Sequence, residues 1–402
     1  MSDSQAISAA VAKLYNTYPF PPDPLSDQLP PGYNWRWHWQ AAYAFCTNRK
    51  PETSQIRILD AGCGTGSGTD YLIHLNPEAE VVAIDLSEKA LAVAKERCER
   101  SGSLASHKPP VMFRAMPLQQ ASELPGEFDL INCVGVLHHL PDPIAGMQAI
   151  ASKLAPGGLL HIFVYAELGR WEIRLMQEAI ALLQGSQQGD YQDGVKVGRA
   201  LFAALPDDNR LVQQEKQRWS MENHRDEAFA DMYVHPQEID YNIRTLFELI
   251  DASGLDFVGF SNPQFWQLER LLGDNADLLA RAQDLGDRDR FRTIELLDPS
   301  LTHYEFFLAR PPFAIADWSD DETLLKAIPQ LSPCVEGWPS RTLFDFNYQI
   351  VNLSEAEFAF LQLCATNQTP PASIKDLLAD LALDLEGVRS LQQRQLILLT
   401  PS

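Results

Sequence analysis

The stretch "RILDAGCGTGSGTDYL", Arg57 to Leu72, constrains the fold more than any other. An apolar run ending in an acid, Asp60, reads as a buried strand. Glycines then stand at every second position, Gly62, Gly64, Gly66 and Gly68, and a helix-like segment opens at Ser67. A strand, a glycine turn and a helix in succession belong to a sheet whose strand ends bring backbone close to a ligand. The glycine spacing excludes two common ligands. A dinucleotide loop wants G-x-G-x-x-G, and the third slot falls on Ser67, Thr69 or Tyr71 in the possible registers. A P-loop wants Gly-Lys-Ser/Thr, and this loop has no lysine to neutralise a triphosphate.

Alternation continues on both sides of the loop. Further strands are expected at 80–87, 111–116, 128–136, 158–166, 255–263 and 302–311, and a helix over 236–254 ending at Gly254. Strands separated by helical segments imply right-handed crossovers and a parallel sheet covered on both faces. Residues 167–232 and 264–298 interrupt the pattern as polar, mostly helical insertions. Residues 1–50 form a proline- and aromatic-rich arm or lid, extended from Pro19 to Pro31 because proline restricts itself and its predecessor. The core is then 51–166 plus 233–312. Residues 313–402 make a small winged-helix-like module of three helices and a strand, with Ser354 and Glu357 at capping-box spacing.

Charge narrows the function. The net charge of −22 disfavours a phosphate backbone or an anionic lipid surface, so neither nucleic acid nor membrane is an expected partner. The last segment, 313–402, holds 12 acids against 5 bases, which suits packing or protein contact better than DNA. Six scattered cysteines without CxxC spacing point to no metal site and a reducing, cytoplasmic setting.

The pattern D-x-G-x-G-x-G at Asp60–Gly66 resembles motif I of the class I S-adenosylmethionine-dependent methyltransferases. Three more segments, in order, resemble that family: "VVAIDLS" with Asp85, "FDLINCVGVLHHLPDP" at 128–143, and "LAPGGLLHIFVY" at 154–165. The resemblance implies a Rossmann-like seven-stranded sheet in the order 3-2-1-4-5-7-6 with the last strand antiparallel, and S-adenosylmethionine as cofactor. It implies Asp60 for the ammonium group and Asp85 for the ribose hydroxyls. It also implies cofactor contacts from Gly62, Cys63, Gly64, Thr65, Gly66, Leu86 and Val134. Many members carry an acid after the third strand to hold adenine. Here "FRAMPLQQ" stands instead, so Met116 and Leu118 are expected to pack the base with apolar atoms.

The acceptor is less legible. His138 and His139, at the end of the fourth strand, and Tyr165, at the end of the fifth, are candidate bases, or else they pack and hydrogen-bond the loop. Tyr15 and Tyr18 of "LYNTYPFPP" would flank the methyl group if the arm is a lid. Tyr233 and His235 face the pocket or merely form a turn, and "YNWRWHW" (33–39) packs rather than binds. The acceptor is then a small molecule methylated on oxygen, nitrogen or carbon. Alternatives are a protein lysine, since the layout also resembles bacterial protein-lysine methyltransferases, or no acceptor at all in a cofactor-binding scaffold. A homodimer is a further expectation.

Overall fold

The computed structural model describes residues 3–366 and 370–401. Its centre is a seven-stranded sheet of β1 (Arg57–Ala61), β2 (Glu80–Asp85), β3 (Val111–Ala115), β4 (Phe128–Val134), β5 (Leu154–Tyr165), β6 (Asp256–Phe260) and β7 (His303–Ala309). The order is β3-β2-β1-β4-β5-β7-β6. β7 runs antiparallel to both β5 and β6. This is the order and sense that the resemblance implies. From β1 the chain moves outward to β2 and β3, then returns to β4 on the other side. The strand ends at β1 and β4 therefore splay apart, leaving the crevice where α/β sheets bind ligands.

Local sequence explains most elements. In β1, Ile58, Leu59 and Ala61 are fully buried, as expected of a parallel strand covered on both faces. Ser87 caps the helix Glu88–Ser101 by accepting from the Ala90 N–H, and Gly102 ends it with left-handed backbone. The helix expected from residue 236 begins only at Ile243. Asn242 and Thr245 form a reciprocal capping box there, and Tyr241 bridges Ala166 of the sheet, so 236–241 stays extended.

The helix α1 (Asp3–Thr17) has no counterpart in the sequence reading. It buries Val11 and Leu14; Leu14 meets Ile173, Met176 and Ile180 of the helix Trp171–Gln184 and Phe229 of the helix Asp226–Tyr233. The arm that follows runs irregularly over the glycine loop. Thr65 N–H donates to the Phe20 carbonyl (3.1 Å) and Thr65 Oγ1 to the Pro21 carbonyl (2.6 Å).

The C-terminal segment is richer than three helices and a strand. The strand Ile397–Thr400 pairs antiparallel with Ile328–Leu331, and Thr342–Phe344 pairs with Ile350–Asn352. Helices Asp321–Lys326, Glu355–Cys364, Ile374–Leu378 and Leu385–Gln393 complete it. The strand Ile397–Thr400 is the one expected; the other three, of three or four residues, are too short for alternation to reveal. The Ser354–Glu357 capping box is present in full. Tyr33 stacks on Tyr348 at 4.6 Å and Trp35 Nε1 donates to Asn347 Oδ1 (3.2 Å), joining this segment to the chain just before the sheet.

Candidate active site

A cavity of about 910 Å³ opens at the carboxyl ends of β1, β2, β4 and β5, beneath α1 and the arm. Its floor is the glycine loop. Gly62 has φ +87°, and a Cβ there would lie 2.3 Å from Val136 Cγ2; at Gly64, with φ +53°, it would lie 2.4 Å from the Phe20 carbonyl. Neither position admits a side chain, so backbone forms this wall. Gly62 and Cys63 N–H groups both donate to the Ile84 carbonyl (2.8 and 2.9 Å), pinning the loop to β2.

Two acids face this end. Asp60 accepts from Thr69 Oγ1 (2.6 Å) and Asn132 Nδ2 (2.9 Å). Burial raises its pKa to about 6, Thr69 and Asn132 oppose that rise, and the nearby Asp85 adds to it. Among the described residues no cation pairs with it, so a ligand ammonium would meet an uncompensated buried carboxylate. Asp85 is held by the Gly64 N–H to Oδ2 (2.9 Å) and the Ser87 N–H to Oδ1 (2.8 Å). Burial pushes its pKa up while those backbone donors, with Leu86, pull it down. Ile84, Leu86, Met116, Leu118 and Val134 supply apolar wall, and Gln119, beside Leu118, adds an amide. Two acids, a backbone floor and apolar slots fit a ligand with an ammonium, sugar hydroxyls and a flat base, and no phosphate.

Several expected residues lie off the cavity. Thr65 turns away to the arm, and Gly66 backs onto Ala94 of the helix Glu88–Ser101. Tyr18 packs against the helical cluster that includes Phe229 rather than facing the cavity. Tyr233 donates instead to Glu215. His138 is fully buried behind Tyr165, rings stacked at 3.9 Å, with neither ring nitrogen hydrogen-bonded among the described residues. Burial drives its pKa well down, so it stays neutral and acts as packing.

Cys63, His139 and Tyr165 do line the cavity, as does Tyr15. Tyr15 donates to Asp231 Oδ1 (2.8 Å). His139 Nδ1 contacts the Gln237 carbonyl at 2.9 Å, so Nδ1 carries the proton and Nε2 is an acceptor. Burial raises the pKa of Asp231, and His139 and Tyr15 moderate that rise. The Tyr165 hydroxyl is pushed above its ordinary range by burial, which makes it a donor rather than a base. The Arg170 guanidinium sits 3.4 Å from the centre of the Tyr165 ring and pairs with Glu238 (3.2 Å).

His139, Asp231 and His235 offer ligand atoms within 4.8 Å of one another, a set that could hold a metal by residue type. The geometry argues otherwise. The two imidazoles stack at 3.7 Å and 25°, so their lone pairs run side by side instead of converging. His235 Nδ1 accepts from the Gln237 N–H (3.1 Å), which leaves the proton on Nε2 and no lone pair there to ligate. The group is arranged for protons, not for a cation.

Sequence reasoning missed Asp231, Arg170, Asn132 and Trp37, all at the cavity wall. Trp37 belongs to a stretch read as packing; Trp35 and Trp39 are buried as expected, but Trp37 Nε1 donates to Asn132 Oδ1 (2.9 Å).

Comparison with known proteins agrees with this geometry. A family model described as a methyltransferase domain matches residues 59–160. The uncharacterized protein syc1184_c of Synechococcus is 57% identical over all of this chain and 95% of its own length. The ubiquinone biosynthesis O-methyltransferase of Xanthomonas euvesicatoria is 38% identical over 112 residues, 28% of this chain and 44% of that protein. Among solved structures, PKMT2 from Rickettsia typhi in complex with AdoHcy overlaps 93% of this chain and 77% of its own. Its TM-score is 0.60 at 15% identity, a likeness of fold alone. With its sheet order, its phosphate-free donor pocket and its matched domain, the chain belongs to the class I S-adenosylmethionine-dependent methyltransferases.

Proposed function

We propose that the chain methylates a small molecule enclosed in this cavity, on an atom that gives up a proton to His139. The observation that carries the reading is the contact of His139 Nδ1 with the Gln237 carbonyl, which in the neutral ring puts the proton on Nδ1. Its Nδ1 is committed to the Gln237 carbonyl, its Nε2 is left as an acceptor at the cavity wall, and buried Asp231 stands beside it.

A bound S-adenosylmethionine would supply a methyl group on a positively charged sulfur. The protein's part is positioning and proton handling. Asp60 and Asp85 would hold the ammonium and the ribose hydroxyls, and the backbone at Gly62 and Gly64 would admit the donor closely. His139 Nε2 takes the proton of the acceptor hydroxyl, or of an ammonium before attack. The resulting imidazolium faces the Asp231 carboxylate, which Tyr15 orients. Enclosure by α1, the arm and the helix Asp226–Tyr233 excludes water from this exchange.

A protein side chain is the second reading, supported by the overlap of nearly the whole chain with PKMT2. The burial of His139 and Asp231 counts against it. The test is transfer of labelled methyl from S-adenosylmethionine in a cell lysate. Label in low-mass, organic-extractable material supports the small-molecule reading; label confined to acid-precipitable protein refutes it.

A further inference from the structure

Four strands carry a polar side chain at the same level of the sheet. Asp60 on β1 stands opposite Asn132 on β4, and Asn132 opposite His161 on β5. Glu305 lies on β7, two residues from Phe307, which pairs with His161, and so faces the same side. All but the edge of Glu305 are buried. His161 Nδ1 meets Asn132 Oδ1 at 2.9 Å, and His161 Nε2 meets Glu305 Oε1 at 3.2 Å. Arg36 Nε pairs with Glu305 Oε2 at 2.7 Å, and Ser261 Oγ donates to the same oxygen at 2.7 Å. Arg36 is the neighbour of Trp37, whose Nε1 returns to Asn132 Oδ1, so the bonds close a ring.

Donor and acceptor chemistry fixes the direction of this ring. Indole N–H only donates, so Asn132 must turn its oxygen to Trp37 and its NH₂ to Asp60. His161 Nδ1 faces the same oxygen and must donate too. Its Nε2 then faces the Glu305 carboxylate; burial lowers the His161 pKa, and Glu305 opposes that fall. Trp37 and His161 thus both lock the amide with its N–H aimed at Asp60.

We propose that Trp37 and His161 are positioning residues for the methyl-donor site, acting through Asn132 to keep an N–H on the Asp60 carboxylate. Besides Asn132 and Thr69, Asp60 is faced by the Asp85 carboxylate at the end of β2 and by the thiols of Cys63 and Cys133, which burial keeps protonated. Both donors are needed to hold the Asn132 oxygen turned away, so losing either one lets the amide rotate, presenting oxygen to Asp60 and favouring its protonated form. The loss therefore depends on pH, which separates positioning from simple support of the fold. The proposal rests on the reading that Asp60 holds the ammonium group.

The experiment is calorimetric binding of AdoHcy by the full chain between about pH 5 and 8, for wild type, Trp37→Phe, His161→Phe and Asp60→Asn. We expect each ring variant to move the midpoint of binding upward by about one pH unit, the size of one hydrogen bond to a charged group. Affinity then falls about tenfold near pH 6 and recovers by about pH 8. Folded variants whose affinity is unchanged, or reduced equally at every pH, overturn the proposal. If His161→Phe does not fold, Trp37→Phe decides, because it leaves the sheet intact. If Asp60→Asn binds as wild type, the reading of Asp60 fails first, and the proposal with it.

Discussion

Arg97 is the clamp that holds the arm over the donor pocket, and its removal has a calculable effect. Its guanidinium donates to three carbonyls: Thr65 in the glycine loop (2.9 Å), Pro24 (3.0 Å) and Asp23 (2.8 Å) in the arm. Arg97 itself is only 6% exposed. Three bonds to a charged group would sum to about 5–9 kcal/mol if each carbonyl were left dry. Asp23 and Pro24 are exposed, however, so their carbonyls take water once the arm lifts. The loss therefore falls mostly on the Thr65 carbonyl and on arm closure, about 2 kcal/mol, or roughly 30-fold in the opening equilibrium. Arg97→Met keeps the aliphatic packing and removes only the donors. Hydrogen exchange at the Thr65 amide, which donates to the Phe20 carbonyl of the arm, should accelerate by that factor, and stopped-flow release of AdoHcy should quicken with it. The melting temperature should move little, because the sheet does not depend on the arm. A large fall in melting temperature with unchanged arm exchange and unchanged release would refute the clamp.

Other consequences follow from single contacts. Gly64→Ala places a methyl 2.4 Å from the Phe20 carbonyl at φ +53°, so the arm must shift; S-adenosylmethionine binding should weaken at least tenfold by calorimetry, at a cost of about 1–3 kcal/mol. Asp60 ionises at about 6 in the folded protein against an ordinary 3.8. Donor affinity should therefore fall about tenfold per unit below pH 6. The linked stability has the opposite sense. Between 3.8 and 6 the unfolded chain releases this proton first, so the ligand-free protein should lose stability, on the order of 3 kcal/mol, as pH rises through that window. Chemical denaturation at several pH values reads it. Tyr15→Phe deletes the donor to buried Asp231; methyl transfer should slow about tenfold, with donor affinity held within about twofold.

The sheet and the glycine-loop end of the cavity were legible because their information is local. Asp60, the glycines and Asp85 sit within one β-α-β unit, and their spacing is set by the turn and by strand length. The seven strands announced themselves as apolar runs of ordinary length. The acceptor end was illegible because it is assembled from distant pieces. Tyr15 and Asp231 are 216 residues apart in sequence, yet share a hydrogen bond. The local sequence singles out Tyr15 and Tyr233 as aromatics near the pocket, but nothing in it marks Asp231. His139 and His138 are adjacent and alike in sequence, but the turn Leu137–His139 points one to the cavity and seals the other behind Tyr165. Trp37 was missed for the same reason as Asp231, since an indole inside an aromatic run reads as packing until its N–H is traced to Asn132.

In the proposed reaction, methyl leaves the donor at the glycine loop for an acceptor deprotonated by His139. Its most direct test is single-turnover formation of AdoHcy and methylated low-mass product by wild type and His139→Ala, with donor affinity measured in parallel. Wild type should form AdoHcy and product in equal amounts. The variant should lose about 10²-fold or more in rate, with donor affinity within about twofold. A variant that turns over at the wild-type rate, or loses rate only through weaker donor binding, would contradict it.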